Sequence, residues 1–330
     1  MRYLALFVVS ILCNVLYAQN IGLPFYTDSD QVITHTTYTL SYSEKHEQAF
    51  WVAYKLTAGH LTGTVSRTDD FRSDSKVKTG SASLADYKGS GYDRGHLAPA
   101  ADFKWSPVAM SESFYMSNMS PQHPSFNRGI WKKLEGAVRN WAADNEEIYV
   151  VTGPVLTGTY PAIGPNQVSI PKYYYKVILD YKEPELKGIG FILPNMKSGR
   201  SLQGYAVTID EVERVTGIDF FYALDDAIEE KIESTVNVSQ WSFRSSSTYS
   251  SSSSAYQTKQ EKLAGKARIN VNTASRSELM QLPRVGPATA DKIIAYRKVH
   301  GPFRSLNDLQ KIKGIGPKTV EQLKPYAAVR

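Results

Sequence analysis

The fold and chemistry of this chain are decided by the stretch Tyr92-Asp93-Arg94-Gly95-His96-Leu97-Ala98-Pro99-Ala100-Ala101-Asp102. Two further segments follow it, Met116-Ser117-Asn118-Met119-Ser120-Pro121-Gln122 and Phe126-Asn127-Arg128-Gly129-Ile130-Trp131-Lys132-Lys133-Leu134-Glu135, with Arg139 just beyond. These segments gather one histidine, two asparagines, one glutamate and several arginines, and they contain no cysteine. A histidine can act as a base near neutral pH, and an amide oxygen is a hard ligand for Mg²⁺. The set suits hydrolysis of a phosphodiester with a hard metal ion.

His96 is the candidate general base among the six histidines of the sequence. Gly91 and Gly95 precede it, and glycine permits tight backbone geometry and close approach of a ligand. The other five histidines stand in ordinary contexts. Taken alone, however, a single histidine in such a turn is more typical of a hydrogen-bonded structural residue. The segments that follow His96 favour a catalytic role over a structural one.

Four side chains are spaced four residues apart: Asn127, Trp131, Glu135 and Arg139. On one helix this spacing predicts a row of side chains that shifts gradually around the helix axis. Beside it lies a predicted buried stripe of Ile130, Leu134, Val138 and Trp141. Asn127 could ligate Mg²⁺, and as a neutral ligand it would leave the metal charge available to a phosphate oxygen. The alternative for Asn127 is a helix N-cap. The alternative for Glu135 and Arg139 is an ordinary solvated ion pair.

The rest of the first 240 residues predicts strands mixed with helices around one core, which is an α+β domain. The β-favouring runs are Thr37–Tyr42, Ala49–Leu56, Ile148–Leu156, Tyr173–Asp180 and Gly188–Pro194. Thr208 and Glu211 have capping-box spacing and predict the start of a short helix.

The motifs quoted above resemble those of the DNA/RNA non-specific endonucleases, the ββα-metal (His-Me finger) nucleases related to endonuclease G. The resemblance covers residues 35–235, and its combination of motifs is far more specific than one short motif. It implies a nuclease core with a mixed or antiparallel sheet, and Mg²⁺ as cofactor, with Mn²⁺ and Ca²⁺ as the other candidates.

The same resemblance implies roles for individual residues. His96 would be the general base, and Asn127 the single direct protein ligand of the metal. Glu135 would contact a metal-bound water, and Asn118 would orient His96 or the metal's water shell. Arg94 and Arg139 would stabilise the phosphate, and Arg67 matches a further phosphate-binding arginine in a looser context, where the alternative is a solvated loop charge. Asp93 and Asp102 are interpreted as supporting carboxylates.

The C-terminal region contains an internal repeat. Leu282–Ala290 is echoed by Ile312–Val320, and each copy places a Gly-Pro pair between two helical patterns. This duplication resembles tandem helix-hairpin-helix modules that bind DNA, and it predicts a small all-α domain. Residues expected to contact nucleic acid are Gly286, Gly316, Arg284, Lys313, Lys318 and Lys292, through helix N-termini and positive charge. The alternative is a basic protein-interaction domain.

Charge is distributed unevenly along the chain. From Lys266 to Arg330 there are 13 Lys and Arg against 4 Asp and Glu, a net charge of +9, which leaves −3 of the total of +6 for the remainder. The basic character therefore belongs to the C-terminal region and points to a polyanionic partner there. With 42% hydrophobic and 21% charged residues, the chain has the composition of a globular protein rather than a disordered one.

The chain divides into four predicted regions. Residues 1–18 predict a secretory signal peptide, because Arg2 precedes an apolar run that is too short to span a membrane comfortably. Residues 19–241 form the nuclease domain, residues 242–266 a Ser-rich flexible linker, and residues 267–330 the helix-hairpin-helix domain. The alternative for the first region is an uncleaved anchor. The only cysteine, Cys13, excludes an intramolecular disulfide.

These patterns together predict a secreted or periplasmic, sequence-non-specific endonuclease acting on DNA and also on RNA, with no stable membrane insertion after signal cleavage. Two alternatives are a non-catalytic extracellular DNA-binding or uptake receptor built on a nuclease-like scaffold, and a phosphodiesterase for small or protein-linked substrates. The tail favours a polymeric substrate. The sequence does not predict an oligomeric state.

Overall fold

The computed structural model describes residues 21–243 apart from 28 and 183–185, and residues 268–329 apart from 280, 281, 283, 284, 286, 313 and 314. The predicted signal peptide and most of the predicted linker lie outside the described residues. The described residues form two compact units, 21–243 and 268–329. No helix in the described part of the chain has the length and apolar character needed to cross a membrane.

The first unit is built on a seven-stranded sheet in which every pairing is antiparallel. Its strands, in spatial order, are β1 (Gln31–Thr34), β2 (Thr39–Ser43), β3 (Gln48–Thr57), β6 (Glu147–Pro154), β9 (Tyr173–Asp180), β10 (Lys187–Pro194) and β11 (Ala206–Val207). Two short hairpins lie outside it, β4 (Asp93–His96) with β5 (Met119–Gln122), and β7 (Ala162–Ile163) with β8 (Val168–Ser169). The five strands predicted from apolar runs are confirmed, with ends that differ by a few residues.

Helices of the first unit are α1 (Leu84–Tyr87), α2 (Pro107–Glu112), α3 (Lys132–Asn145), α4 (Ile209–Thr216) and α5 (Asp226–Glu233). The predicted start of α4 is confirmed, because the Thr208 hydroxyl accepts a hydrogen bond from the Glu211 backbone N–H at 3.2 Å. Short 3₁₀ turns occupy His60–Thr62, Ala100–Asp102, Met116–Asn118, Leu202–Tyr205 and Val238–Gln240.

The sheet separates two hydrophobic cores. Along β9, Tyr174 and Ile178 point to one face with Trp131 of the site region, whereas Tyr175 and Val177 point to the other. Helix α3 and the turn before it cover the first face with the predicted buried stripe, whose members are each at most 5% exposed: Ile130, Leu134, Val138 and Trp141. Helices α4 and α5 cover the second face. Alternation along each strand therefore assigns the two helical layers to opposite sides.

One prediction about the site helix is wrong in its geometry. Asn127 and Arg139 do not lie on one regular helix, since residues Phe126–Trp131 form a π-helical turn with a kink at Gly129 (φ −106°, ψ −110°) before α3 begins. The N-cap alternative for Asn127 is also wrong, because Ser125 holds that position. His96 lies on a strand rather than in a turn.

The end of the first unit extends past the predicted domain boundary. Trp241 is buried, and the carbonyl oxygen of Ser242 accepts a hydrogen bond from the indole N–H of Trp141 at 2.7 Å. Phe243 packs edge-on against the same indole, with ring centroids 5.3 Å apart. Ser242 and Phe243 therefore belong to the folded unit rather than to the linker.

The second unit is helical, as predicted. Its elements are α6 (Arg276–Leu279), α7 (Pro287–His300), a 3₁₀ turn (Leu306–Lys311) and α8 (Pro317–Leu323). In addition, β12 (Ile269–Asn270) pairs in parallel with β13 (Ala327–Ala328) and joins the two ends of the unit. Buried side chains from both halves of the sequence repeat share one core, among them Leu282, Ile293, Ile312 and Val320. Neither copy of the repeat buries this core alone.

Candidate active site

The β4–β5 hairpin presents His96. In its register Gly95 lies opposite Ser120 and His96 lies opposite Met119. A Cβ atom on Gly95 would lie 2.2 Å from Cδ of Gln122, so close packing across the hairpin requires glycine there. The indole N–H of Trp131 donates to the carbonyl oxygen of His96 at 3.3 Å. Strand pairing and this contact fix the backbone from which the imidazole projects.

The imidazole of His96 is held by aromatic packing rather than by a carboxylate. Phe71 and Phe114 meet the ring edge-on, with centroids 5.8 and 5.0 Å away. Its buried Nε2 has no hydrogen-bond partner, and within residues 21–243 as described the ring makes no hydrogen bond. Burial and, to a smaller extent, the positive charges of Arg67 and Arg94 together lower the pKa of His96 to about 3. The ring is therefore neutral, which is the form that a base requires.

Asn127 is oriented by Asp93. Its amide Nδ2 donates to Asp93 Oδ2 at 2.9 Å, and Arg128 holds both oxygens of the same carboxylate, Nε to Oδ2 at 2.9 Å and Nη2 to Oδ1 at 2.7 Å. No described residue donates to the Asn127 amide oxygen, which is therefore available as a ligand. An amide oxygen held in place by a neighbouring carboxylate fits a hard divalent cation. The supporting role expected for Asp93 agrees with these contacts.

Asn118 is fully buried, and its side chain binds the backbone. Its Oδ1 accepts from the Ala98 N–H at 2.9 Å, and its Nδ2 donates to the carbonyl oxygens of Ala98 and Ser113 at 2.9 and 2.8 Å. Its own carbonyl oxygen accepts from the Leu97 N–H at 3.0 Å. These bonds use the amide to fix the chain directly after His96, which favours the orienting role over contact with the metal's water shell.

Beneath the site lies a buried charge network. Arg139 Nη1 donates to Asp102 Oδ1 at 2.9 Å, and the Tyr54 hydroxyl donates to Asp102 Oδ2, also at 2.9 Å. Asp102 is 0% exposed and the Arg139 side chain is 22% exposed. Arg139 therefore binds a buried carboxylate from another segment, which is not the solvated pair with Glu135 that the spacing also allowed. This placement leaves the remaining nitrogens of Arg139 for an anion.

Glu135 and Lys176 complete this network. Burial raises the pKa of Glu135, while the charges of Arg139 and Lys176 oppose the rise. Burial lowers the pKa of Lys176, and Glu135 and Asp102 oppose that change. Lys176 is 0% exposed, its Nζ lies 4.7 Å from the Trp131 ring centroid, and it donates to the Leu97 carbonyl oxygen at 3.4 Å. The sequence interpretation missed Lys176, although a lone lysine inside an apolar strand marks it.

Arg67 and Arg94 form a positive rim above His96. The guanidinium of Arg94 lies 4.2 Å from the Phe71 ring centroid, and that of Arg67 lies 4.7 Å from the Phe114 ring centroid. These are the two rings that enclose His96. Arg67 also donates from Nε to Asp69 at 2.6 Å, in a pair that is about half exposed. Both cations are therefore placed where a phosphate approaching His96 would meet them.

The residues predicted to bind nucleic acid in the second unit are described only in part. Gly316 is the N-cap residue of α8, and a Cβ atom added there would meet no other atom within 4 Å. Lys292 lies on α7. Arg284, Gly286 and Lys313 lie outside the described residues, and so does the side chain of Lys318. For Gly316 the predicted position at a helix start is observed.

Each of the two units matches a model of a known protein family or motif. The model for the DNA/RNA non-specific endonuclease family matches residues 18–227, and a helix-hairpin-helix motif model matches residues 265–328. The chain is 37% identical over 207 residues to the mitochondrial nuclease EXOG of Danio rerio, across 58% of this chain and 60% of that protein. It is 35% identical over 223 residues to a nuclease of Nostoc sp., across 64% of this chain and 80% of that protein.

A solved structure supports the same assignment. A chain in the crystal structure of the EndoG/EndoGI complex superposes with a TM-score of 0.58 at 33% identity, covering 62% of this chain and 90% of that chain. The alignment with the Danio rerio nuclease spans less than two thirds of that protein's length. The expected α+β nuclease fold with an added helix-hairpin-helix region is confirmed.

Proposed function

The chain belongs to the DNA/RNA non-specific endonuclease family, and from this membership we propose that it is an exported, Mg²⁺-dependent endonuclease. It hydrolyses the phosphodiester bonds of DNA, and of RNA as well, without sequence preference. The observation that carries the proposal is the buried, hydrogen-bond-free imidazole of His96 on the hairpin that also holds the Asn127 amide through Asp93. Within the described residues, neither His96 Nε2 nor the Asn127 amide oxygen has a hydrogen-bond partner, and these are the atoms that the chemistry would use.

Each residue of the site has its own role in the proposed reaction. His96, neutral because burial lowers its pKa, accepts the proton of the attacking water. Arg94 and Arg67 receive the phosphate, and Arg139 adds positive charge next to Glu135 while Asp102 holds it in place. Asn127 would hold Mg²⁺ directly and Glu135 through a water. When bound, the ion supplies positive charge that stabilises the phosphate oxygens in the transition state.

The second unit is proposed to bind the sugar-phosphate backbone. The match to a helix-hairpin-helix motif and the net charge of +9 after residue 265 support this role. A tethered binding unit raises the local concentration of nucleic acid at the active site without imposing a register. Backbone contacts also read no sequence, which agrees with non-specific cleavage.

Export is proposed from the sequence at the N-terminus. Arg2, the apolar run from Leu4 to Leu16 and the small residue Ala18 have the order of a secretory signal peptide. The substrate would then be extracellular or periplasmic nucleic acid. Fractionation of producing cells, with mass spectrometry of the N-terminus, tests this part; a protein retained in the cytoplasm with residues 1–18 intact would refute it.

Cleavage is tested with supercoiled plasmid and with RNA, using Mg²⁺, Mn²⁺, Ca²⁺ or EDTA. We expect Mg²⁺-dependent nicking that EDTA abolishes, and a loss of at least 100-fold in His96→Ala, because general bases contribute about 10²–10⁴-fold. His60→Ala is the matched control, since His60 stacks on Trp105 at 4.4 Å and has no hydrogen bond to a site residue. Wild-type protein that binds plasmid but never cuts it would instead support a non-catalytic receptor.

The role of the second unit is tested by salt dependence. Deletion of the residues after Gly265 should weaken DNA binding, because the truncated protein neutralises fewer phosphates. The plot of log K against log salt should become flatter by about 0.9 for each phosphate that the deleted unit had neutralised. Unchanged affinity and slope would refute the role of the tail without affecting the assignment of the active site.

A further inference from the structure

Three carboxylates converge where α4 meets α5. Asp210 and Glu213 lie on α4, Glu233 is the last residue of α5, and one oxygen of each lies within 4.8 Å of the others. Asp210 is exposed, Glu213 is half-buried and Glu233 is buried. Like charges held this close repel one another unless a cation or a proton neutralises them.

Glu233 is the group that distinguishes this cluster from an ordinary acidic surface. Glu233 is only 6% exposed, and its Oε1 atom is buried without a hydrogen-bond partner among the described residues. A buried carboxylate oxygen left without a partner is costly, so such groups are normally paired or coordinate a metal. Across residues 21–243 as described, no lysine, arginine or histidine forms a salt bridge with any of the three carboxylates.

The neighbouring groups increase the negative charge. Burial and, to a smaller extent, the charges of Glu213, Glu229, Asp210 and Asp219 together raise the pKa of Glu233 to about 9. One oxygen of Glu213 accepts the Phe220 N–H at 2.7 Å, which anchors that side chain and leaves its second oxygen for another partner. The nearest arginine along α4, Arg214, is paired with Glu211 instead.

We propose that Asp210, Glu213 and Glu233 bind one divalent cation of the Ca²⁺ class, which joins the two helices. Ca²⁺ accepts oxygens at about 2.3–2.6 Å in flexible geometry, so two of its ligands can lie about 4.8 Å apart, whereas Mg²⁺ at about 2.1 Å requires a tighter set. Monodentate carboxylates with waters completing the shell suit an exposed edge of this kind.

This site is separate from the active site. The apolar residues of α4 and α5 next to the cluster belong to the core on the second face of the sheet, together with Tyr175: Ile209, Val212 and Ile232. The elements that carry His96 and Asn127 lie against the first face, where Leu97 and Trp131 belong to the other core. A cation at this cluster would therefore stabilise the packing of α4 and α5 and would not enter the reaction.

Calorimetric titration of Ca²⁺ into the full chain tests the proposal. The titrated protein carries Asn127→Ala, so that the proposed catalytic ligand is removed. We expect one bound Ca²⁺ per chain, and at least tenfold weaker binding when Asp210→Asn is added, because affinity follows the number of charged ligands. Asp210 is exposed, so its substitution leaves the fold intact. Glu211→Gln is the matched control on the same helix, since Glu211 lies outside the cluster and pairs with Arg214.

A second measurement separates a cation from a proton as the neutralising group. Saturating Ca²⁺ should raise the Tm of the Asn127→Ala protein by about 5 °C or more, and this shift should disappear with Glu233→Gln. If Ca²⁺ leaves Tm unchanged while mild acidification raises it, Glu233 is neutralised by a proton and the proposal fails. It fails equally if Ca²⁺ binds with unchanged affinity after Asp210→Asn.

Discussion

Asp93→Asn should weaken the activation of cleavage by Mg²⁺ while leaving the protein folded. In the native site Asp93 Oδ2 accepts the Asn127 amide at 2.9 Å, which orients the amide oxygen toward the position proposed for the metal. An asparagine at 93 keeps one oxygen but adds an N–H₂ group that competes as a donor. The Asn127 amide and Arg128 then compete for one neutral oxygen in place of a carboxylate, so the orientation of the Asn127 amide oxygen is less firmly fixed.

The size of the effect follows from the contacts of Asp93 with its two partners, Asn127 and Arg128. A hydrogen bond to a charged group contributes about 1.5–3 kcal/mol, which corresponds to about 10–150-fold. The pair with Arg128 adds little, because the Arg128 side chain is 73% exposed and exposed pairs contribute about 0–1 kcal/mol. We therefore expect the Mg²⁺ concentration for half-maximal activity to rise about 10–100-fold, the range seen when a group supporting a metal ligand is lost.

The assay is plasmid nicking across a Mg²⁺ titration, with Arg128→Ala as the control. That variant removes the exposed ion pair but leaves the contact between Asp93 and Asn127, so it should change the Mg²⁺ requirement by no more than a few-fold. A Mg²⁺ dependence in Asp93→Asn equal to the wild type would refute the orienting role. Equal damage from Arg128→Ala would show instead that the ion pair, and not the amide contact, matters.

Further outcomes follow from the buried groups. The pKa of His96 in the folded protein lies below its unfolded value near 6.5, so the free energy of unfolding falls as pH drops from 6.5 toward 3, by up to about 1.4 kcal/mol per pH unit from this residue. In urea unfolding, the free energy of unfolding of His96→Gln should depend less steeply on pH than that of the wild type. Identical slopes would contradict this prediction. Asp102→Asn, which removes the fully buried carboxylate that pairs with Arg139, should lower the free energy of unfolding by about 3–5 kcal/mol. The control Tyr54→Phe should lower it by about 1 kcal/mol, and equal losses would show that the charge is unimportant. Lys176→Met removes a cation that opposes the raised pKa of Glu135, so the acid limb of kcat/KM should move to higher pH, and an unmoved limb would exclude this coupling.

The sequence predicts the main strands and the core of the site for a simple reason. Apolar β-branched runs such as Ile148–Leu156 have only one favourable environment, a buried sheet, and the structure places a strand there. His96 and Asn127 come from two recognisable motifs, and β4 links them because it carries both His96 and Asp93, which accepts a hydrogen bond from the Asn127 amide. The paired strands β4 and β5 bring the motif segments together, and Asn118 ties them through backbone contacts.

What the sequence does not predict depends on contacts between distant segments. Lys176 reaches the site only because β9 lies in the middle of the sheet, and Asp102 meets Arg139 across 37 residues. The acidic cluster of α4 and α5 likewise requires the packing of two helices. The turn at Phe126–Trp131 is missed for a different reason. Side-chain spacing indicates helical faces, whereas the kink depends on the backbone angles of one residue, Gly129.

That turn makes the region around Gly129 sensitive to chain length as well as to residue identity. The chain leaves helical geometry at Gly129, between Asn127 and α3, so removal of one residue there changes how Asn127 is set relative to that helix. Because successive residues of an α-helix differ by about 100°, such a deletion would rotate Asn127 away from Asp93 while the buried face of α3 keeps its packing. Length variants between residues 124 and 131 should therefore fold and yet lose their metal ligand, a combination that insertion and deletion libraries reveal and substitution libraries do not.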